Sequence, residues 1–211
     1  MTKGTLVVFT GPSGSGKGTI LKECLQDPSL YLSISNTTRS PRPGEVDGVH
    51  YHFITHEDFE KKIQEGGMLE YASYCGNYYG TPRDRVWEQL EAGRDVVLEI
   101  EVQGAMQVRK NCPEAVLVFV VPPTPQVLRQ RLIGRGTEDM ETVEKRLARS
   151  LEEIGMLSQF DYLVVNDQLE DAVETFRGIL SACRAGDPAR LAQLKSLSDS
   201  LKNTITKEFS L

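Results

Sequence analysis

No apolar run in this sequence approaches the roughly 20 residues that a membrane helix requires, and Met1 to Gly4 does not read as a signal peptide. A membrane role is therefore not expected, and the chain reads as a soluble, cytoplasmic protein. Positive charge is not in excess either. The 24 Lys and Arg residues stand against 30 Asp and Glu, a net charge of −6, which argues against a nonspecific nucleic-acid or anionic-membrane surface. Cysteine is sparse: Cys24, Cys75, Cys112 and Cys183 are widely scattered and none forms a CxxC pair. Reduced structural thiols are the simplest reading. Internal repeats, low-complexity tracts and an evident interdomain linker are missing too. A chain of 211 residues is then one large domain, or a core with inserted lobes.

What is present is a glycine-rich loop in an informative place. The stretch Gly11, Pro12, Ser13, Gly14, Ser15, Gly16, Lys17, Gly18 and Thr19 follows the β-branched run TLVVF, Thr5 to Phe9. It opens a helical pattern in which Ile20, Leu21, Cys24 and Leu25 share one face. Continuous apolar character suits a parallel strand buried on both faces. Glycines at 11, 14 and 16 let successive backbone N–H groups converge on phosphate oxygens at the positive end of the helix. Lys17 adds a point charge for the outer phosphates. The match to GxxxxGK[ST] departs only at Gly18, where a hydroxyl for magnesium is usual. The metal is then met by Thr19, by water held on an acid elsewhere, or by the nucleotide alone.

Strands and helices alternate along the rest of the chain, which predicts a parallel sheet covered on both faces. Strand patterns fall at Tyr31 to Ser35, His50 to Ile54, Met68 to Tyr74, Asp95 to Glu101, Ala115 to Val121 and Asp161 to Val165. Between them, Asn36 to Gly48 is too rich in Pro and Gly for a regular element and reads as a loop carrying Arg39 and Arg42. Thr55 with Asp58 marks a helix start, and CGNYYGTP reads as a compact turn. Thr81 and Pro82 begin a helix with Val86, Trp87 and Leu90 as its buried stripe. Strands in quick succession before residue 82 suggest a small β-rich lobe inserted in the α/β core. The arginine-rich segment Leu128 to Ser150 reads in part as a mobile cover. Beyond Gly186, leucines at 191, 194, 197 and 201 form one amphipathic stripe, which either packs on its own core or makes a homo-oligomer contact.

Taken in order, GPSGSGKGT, SISNTTRSPRPGE, GNYYGT, LEIEVQG and RGTE with KRL strongly resemble the guanylate kinases, from about Gly4 to about Ser181. Several independent motifs in sequence are far more specific than one glycine loop. The resemblance implies a P-loop NTPase-type core (1–32, 82–125 and 155–185), a GMP-binding lobe (33–81), a helical lid (126–154) and a C-terminal extension (186–211). It also implies phosphorylation of GMP, and of dGMP, by ATP with Mg²⁺. By resemblance, Ser35, Arg39, Arg42 and Tyr51 hold the GMP phosphate with Glu45 beside them, and Tyr79 is a second phosphate-binding tyrosine. Glu70 and Thr81 match the guanine readers. Glu99 matches the acid that orients magnesium through water, and Glu101 contacts the guanine amino group or nearby polar atoms. Period-two spacing puts those two acids on one strand face. Arg135, Arg146 and Arg149, with Arg131, match the arginines that close on the transferring phosphoryl group. Asn166 and Asp167 match the turn near the ATP adenine, where Arg135 stacks.

Three other readings compete. A noncatalytic guanylate-kinase-like phosphopeptide module would not need Lys17 and an intact glycine loop. An adenylate kinase would share GKGT but has no use for TTRSPRPGE and GNYYGT. A ribose-bisphosphate kinase would lose the guanine readers, yet Glu70 and Thr81 are both present.

Overall fold

The structure is a computed structural model that describes residues 3–134 and 140–210. The chain is α/β, with a parallel sheet flanked by helices. Its larger sheet contains β1 (Leu6–Thr10), β2 (Leu30–Leu32), β7 (Asp95–Glu99), β8 (Val116–Val121) and β9 (Tyr162–Val165), in the order β2-β7-β1-β8-β9. β2 pairs with β7, and β8 with β9, in parallel. All five residues of β1 are buried, as are all but the first of β8, which is why both read as unbroken apolar runs.

Two compact units divide the fold. One comprises the chain up to Val8 with Ser29–Ala115; the other comprises Phe9–Pro28 and the chain from Val116 onward. The first unit holds a second sheet, β4-β3-β6-β5, made of β3 (Asn36–Thr37), β4 (His52–Phe53), β5 (Met68–Tyr74) and β6 (Asn77–Pro82). Its helices are α2 (His56–Gln64), α3 (Arg83–Glu91) and α4 (Val102–Asn111). The Thr55 hydroxyl caps α2 by accepting from the Asp58 N–H at 3.0 Å, and Phe59 is fully buried. α3 packs on β7, with Val86 and Leu90 buried and Trp87 half-buried.

The second unit carries α1 (Lys17–Cys24), α5 (Pro125–Ile133), α6 (Met140–Ile154), α7 (Leu169–Ala185) and α8 (Pro188–Glu208). α7 lies against α1 and β9, and its Phe176 ring meets Phe9 of β1 with centroids 4.4 Å apart. No helix among the described residues is long and apolar enough to cross a membrane.

Five expectations need correction, the first being the loop expected over Asn36 to Gly48, whose first two residues are strand β3. CGNYYGTP is not a compact turn: only Cys75 (φ 49°) and Gly76 (φ 75°) turn, and the rest is β6. Positive φ at both central residues is the two-residue hairpin geometry that matches strand twist. Gly80, which suggested a turn, lies inside the strand because a Cβ there would come within 2.6 Å of the Glu70 carbonyl. The strand from Asp95 ends at Glu99, and Glu101 is the N-cap of α4, a helix the sequence did not announce. The two acids therefore do not share a strand face. The predicted strand at Tyr31–Ser35 is shorter and begins earlier, as β2. Finally, the leucine stripe splits: Leu194 is buried and Leu197 exposed, while Ser198, Lys202 and Ile205 face inward.

That inward face meets β9, the last strand of its sheet. Ser198 Oγ accepts from the Leu163 N–H at 3.2 Å, and the Lys202 ammonium donates to the Phe160 carbonyl at 2.7 Å and to Asp199 Oδ1 at 2.9 Å. A helix with polar groups on its buried side thus covers a sheet edge that would otherwise expose unpaired backbone.

Candidate nucleotide site

In the second unit, the loop from Gly11 to Gly16 joins β1 to α1. Gly11 (φ 150°), Gly14 (φ 85°) and Gly16 (φ 87°) take conformations that L side chains rarely adopt. Two of them are also sterically closed: a Cβ on Gly11 would lie 2.1 Å from the Val120 carbonyl oxygen, and one on Gly16 would lie 2.1 Å from Asn166 Nδ2. Gly16 caps α1 without a side-chain hydrogen bond, so no side chain competes there for the helix's first N–H groups. Lys17 Nζ folds back onto the carbonyls of Gly11 and Pro12. Ser13 is half-buried, while Ser15 is fully buried and its hydroxyl has no hydrogen-bond partner among the described residues. Gly18 faces open space and Thr19 is exposed on the first turn of α1.

Asn166, at the end of β9, is 6 % exposed. Its Nδ2 donates to the Ser15 carbonyl at 2.8 Å, and its own carbonyl accepts from Arg131 Nη2 of α5 at 3.0 Å. Its side chain is therefore part of the loop's support, whereas Asp167 next to it is exposed. Arg146 is half-buried on α6; Arg149, exposed on the same helix, pairs with Glu153 at 3.2 Å. Arg135 lies outside the described residues.

The first unit gathers a second set. Arg39 and Glu45 form a two-point pair, Nη1 to Oε2 and Nη2 to Oε1, each 2.9 Å. The Arg42 N–H donates to the same carboxylate at 2.7 Å. These donors, Arg39 foremost, pull the Glu45 carboxyl down to about 2. The Arg39 guanidinium lies 5.6 Å from the Tyr51 ring centroid and 5.9 Å from that of Phe53. Tyr51 and Tyr79 meet edge to face at 6.0 Å, and burial pushes the Tyr51 phenol up. Ser35 and Arg39 are half-buried, and Arg42 is exposed.

Two residues along β6 from Tyr79, and so on the same strand face, Thr81 donates its hydroxyl to Glu70 Oε1 at 2.7 Å. Both residues are buried, at 1 % and 6 % exposure. Burial raises the Glu70 pKa, opposed by the Thr81 hydrogen bonds. A Cβ on Gly104 of α4 would lie 2.8 Å from Glu70 Oε2, so the carboxylate rests against bare helix backbone. Glu99 and Glu101 are exposed. Sequence reasoning missed this contact, together with Gln107 and Asn111 of α4. The only available signal was their spacing on a helix that had itself gone unrecognised.

Comparison with known proteins agrees with the motifs. A family model described as guanylate kinase matches residues 3–183. The guanylate kinase of Latilactobacillus sakei subsp. sakei (strain 23K) is 48% identical over 197 residues, covering 92% of this chain and 97% of the relative. That of Listeria monocytogenes serotype 4b (strain F2365) is 54% identical over 180 residues, 84% of this chain and 88% of the relative. The crystal structure of guanylate kinase from Anaplasma phagocytophilum superimposes with a TM-score of 0.68 at 29% identity, covering 87% of each chain. On its phosphate loop, its arginine and carboxylate lobe and these similarities, the chain belongs to the guanylate kinase family.

Proposed function

We propose that this protein transfers the γ-phosphoryl group of ATP to GMP, and to dGMP, giving ADP and the corresponding diphosphate. The observation that carries the acceptor is the buried Glu70–Thr81 pair on the strand face that also bears Tyr79. Guanine offers N1–H and N2–H₂ to a carboxylate and O6 to a hydroxyl. Adenine lacks N1–H and the 2-amino group and would leave Glu70 unpaired in a dry site, a loss of roughly 1–3 kcal/mol or more. The Thr81 proton, which Glu70 holds in the absence of nucleotide, turns to O6 when the base arrives.

Arg39 and Arg42 neutralise the acceptor phosphate, with Ser35, Tyr51 and Tyr79 completing its cradle and Glu45 setting the orientation of Arg39. The glycine loop and Lys17 take the donor phosphates; the ammonium exchanges the Gly11 and Pro12 carbonyls for phosphate oxygens. Arg131, Arg135, Arg146 and Arg149 offset charge on the group in flight. In-line transfer needs positioning and charge neutralisation more than covalent help. A phosphomonoester has a second pKa of about 6, so the attacking oxygen is already largely ionised and no general base is required.

Among the described residues there is no cluster of three or more His, Cys, Asp or Glu able to hold a metal. Thr19 and Glu99 are both exposed, which fits Mg²⁺ carried on ATP and held largely by phosphates and water; Glu99 would meet it through water, with Thr19 beside it and not bonded directly to the metal. Bound there, the ion would neutralise charge between the outer phosphates.

Lys17→Ala, or Arg39→Ala combined with Arg42→Ala, is expected to abolish transfer in an ADP-coupled assay with ATP and GMP, while the circular dichroism spectrum stays native. Full activity in either purified variant would sink the assignment.

A further inference from the structure

β5 is the last strand of the smaller sheet, so among the described residues its outer row of backbone groups has no strand to pair with. α4 supplies the partners. Gly104, Gln107 and Asn111 fall at spacings of three and four and so share one helix face. Gln107 closes both arms of its side-chain amide on one residue: Oε1 accepts from the Tyr71 N–H at 3.1 Å, and Nε2 donates to the Tyr71 carbonyl at 2.9 Å. Asn111 Nδ2 donates to the Leu69 carbonyl at 2.9 Å. Residues 69 and 71 are the two that flank Glu70, and the strand register shifts between Met68 and Glu70, so ordinary pairing alone does not set that residue's position. The third member of the face, Gly104, lies under the Glu70 carboxylate itself, where a Cβ would be 2.8 Å from Oε2 and 3.3 Å from Cδ.

Nothing in an isolated edge strand requires this arrangement. Blunting an edge needs only a charge, a proline or a bulge. Here a side-chain amide copies the two-bond pattern of a neighbouring strand on one side of Glu70, a second amide holds the other side, and the helix leaves an exact gap for the carboxylate between them. Thr81 holds Oε1, and the other oxygen lies over the side of Gly104 that carries no Cβ.

We propose that Gln107 and Gly104 are positioning residues for base selection, holding Glu70 where its carboxylate can take the 2-amino group of guanine. This rests on the reading of Glu70 as a guanine-binding residue. Gln107→Met keeps the length of the side chain but removes both hydrogen bonds. Gly104→Ala adds one methyl group, which meets the movable end of Glu70 rather than backbone, so the fold survives and the carboxylate shifts.

The test is the ratio of kcat/KM for GMP to kcat/KM for IMP, which keeps N1–H and O6 but lacks the 2-amino group. The ratio is independent of the fraction of folded enzyme, so a purely structural role for either residue would leave it unmoved. It is expected to fall about tenfold in Gly104→Ala and severalfold in Gln107→Met, the scale of one misplaced polar contact, with KM for ATP unchanged. In a Glu70→Ala background neither substitution should change it further. A wild-type ratio in both single variants, with a collapsed ratio in Glu70→Ala, would overturn the positioning role and leave the guanine-reading role standing. An unchanged ratio in Glu70→Ala would overturn the guanine-reading role and the positioning role with it.

Discussion

Asn166→Ala separates two ways in which the turn after β9 could serve the donor nucleotide. The asparagine amide already supports the phosphate loop, donating one Nδ2 proton to the Ser15 carbonyl at 2.8 Å in a buried setting. Removing it strands that carbonyl, and a buried acceptor without a partner costs about 1–3 kcal/mol. Gly16, whose missing Cβ makes room for the same amide, would lose its packing neighbour as well. If the penalty falls on the phosphate-competent form of the loop, affinity for any triphosphate drops by roughly 5- to 140-fold, since each 1.4 kcal/mol is a factor of ten. Calorimetric titration of ATP and of inorganic tripolyphosphate checks this. Both should weaken by the same factor, with GMP affinity unchanged, because the lesion lies in the loop and not at the adenine. Asn166→Asp should be worse than alanine, since it sets a carboxylate against a carbonyl. A variant that lost ATP affinity but bound tripolyphosphate like the wild type would refute the reasoning and return Asn166 to a base-reading role.

The Arg39 guanidinium, with the Arg42 N–H, holds the Glu45 carboxyl down to about 2, below its ordinary value of 4.5. A depressed carboxyl stabilises the fold above its unfolded pKa, and that contribution is lost as pH falls from about 4.5 toward 2. Glu45→Gln should therefore flatten this part of the unfolding-midpoint profile; an acid limb identical to wild type would show that the Arg39 pair is not formed in solution. Lys202→Met removes the ammonium that caps the Phe160 carbonyl at 2.7 Å, a loss of about 1–3 kcal/mol partly offset by no longer burying a charge. Ser198→Ala should speed hydrogen exchange at the Leu163 amide, which Ser198 Oγ holds at 3.2 Å. Unaltered exchange there would mean that α8 does not seal the edge of β9.

The sequence was most informative where chemistry demands a fixed local pattern. The phosphate loop, β1 before it and the Thr55 cap of α2 could all be read directly, because glycine torsions, two-sided burial and a capping hydroxyl leave marks within a few residues. β5 was legible to its exact ends. Its partner β6 was hidden, since Gly80 and Pro82 look like turn residues until the close approach of the Glu70 carbonyl to Gly80 is known. α4 went unread because Glu101, its N-cap, continued the alternation of the preceding strand. The leucine stripe of α8 misled for another reason. What faces inward there answers to the unpaired backbone of β9, so Ser198 and Lys202 are buried while Leu197 is not. The Asn166 support of the loop spans 151 residues of chain, and no local pattern announces a contact of that range.

The central claim is that the acceptor is a guanine nucleotide, chosen by a buried carboxylate and hydroxyl. Steady-state phosphoryl transfer from Mg-ATP to GMP, dGMP, AMP, CMP and UMP, measured side by side on the purified protein, tests it most directly. The account predicts that GMP and dGMP are phosphorylated and that the other three are poor acceptors; an enzyme that preferred AMP to GMP would contradict it.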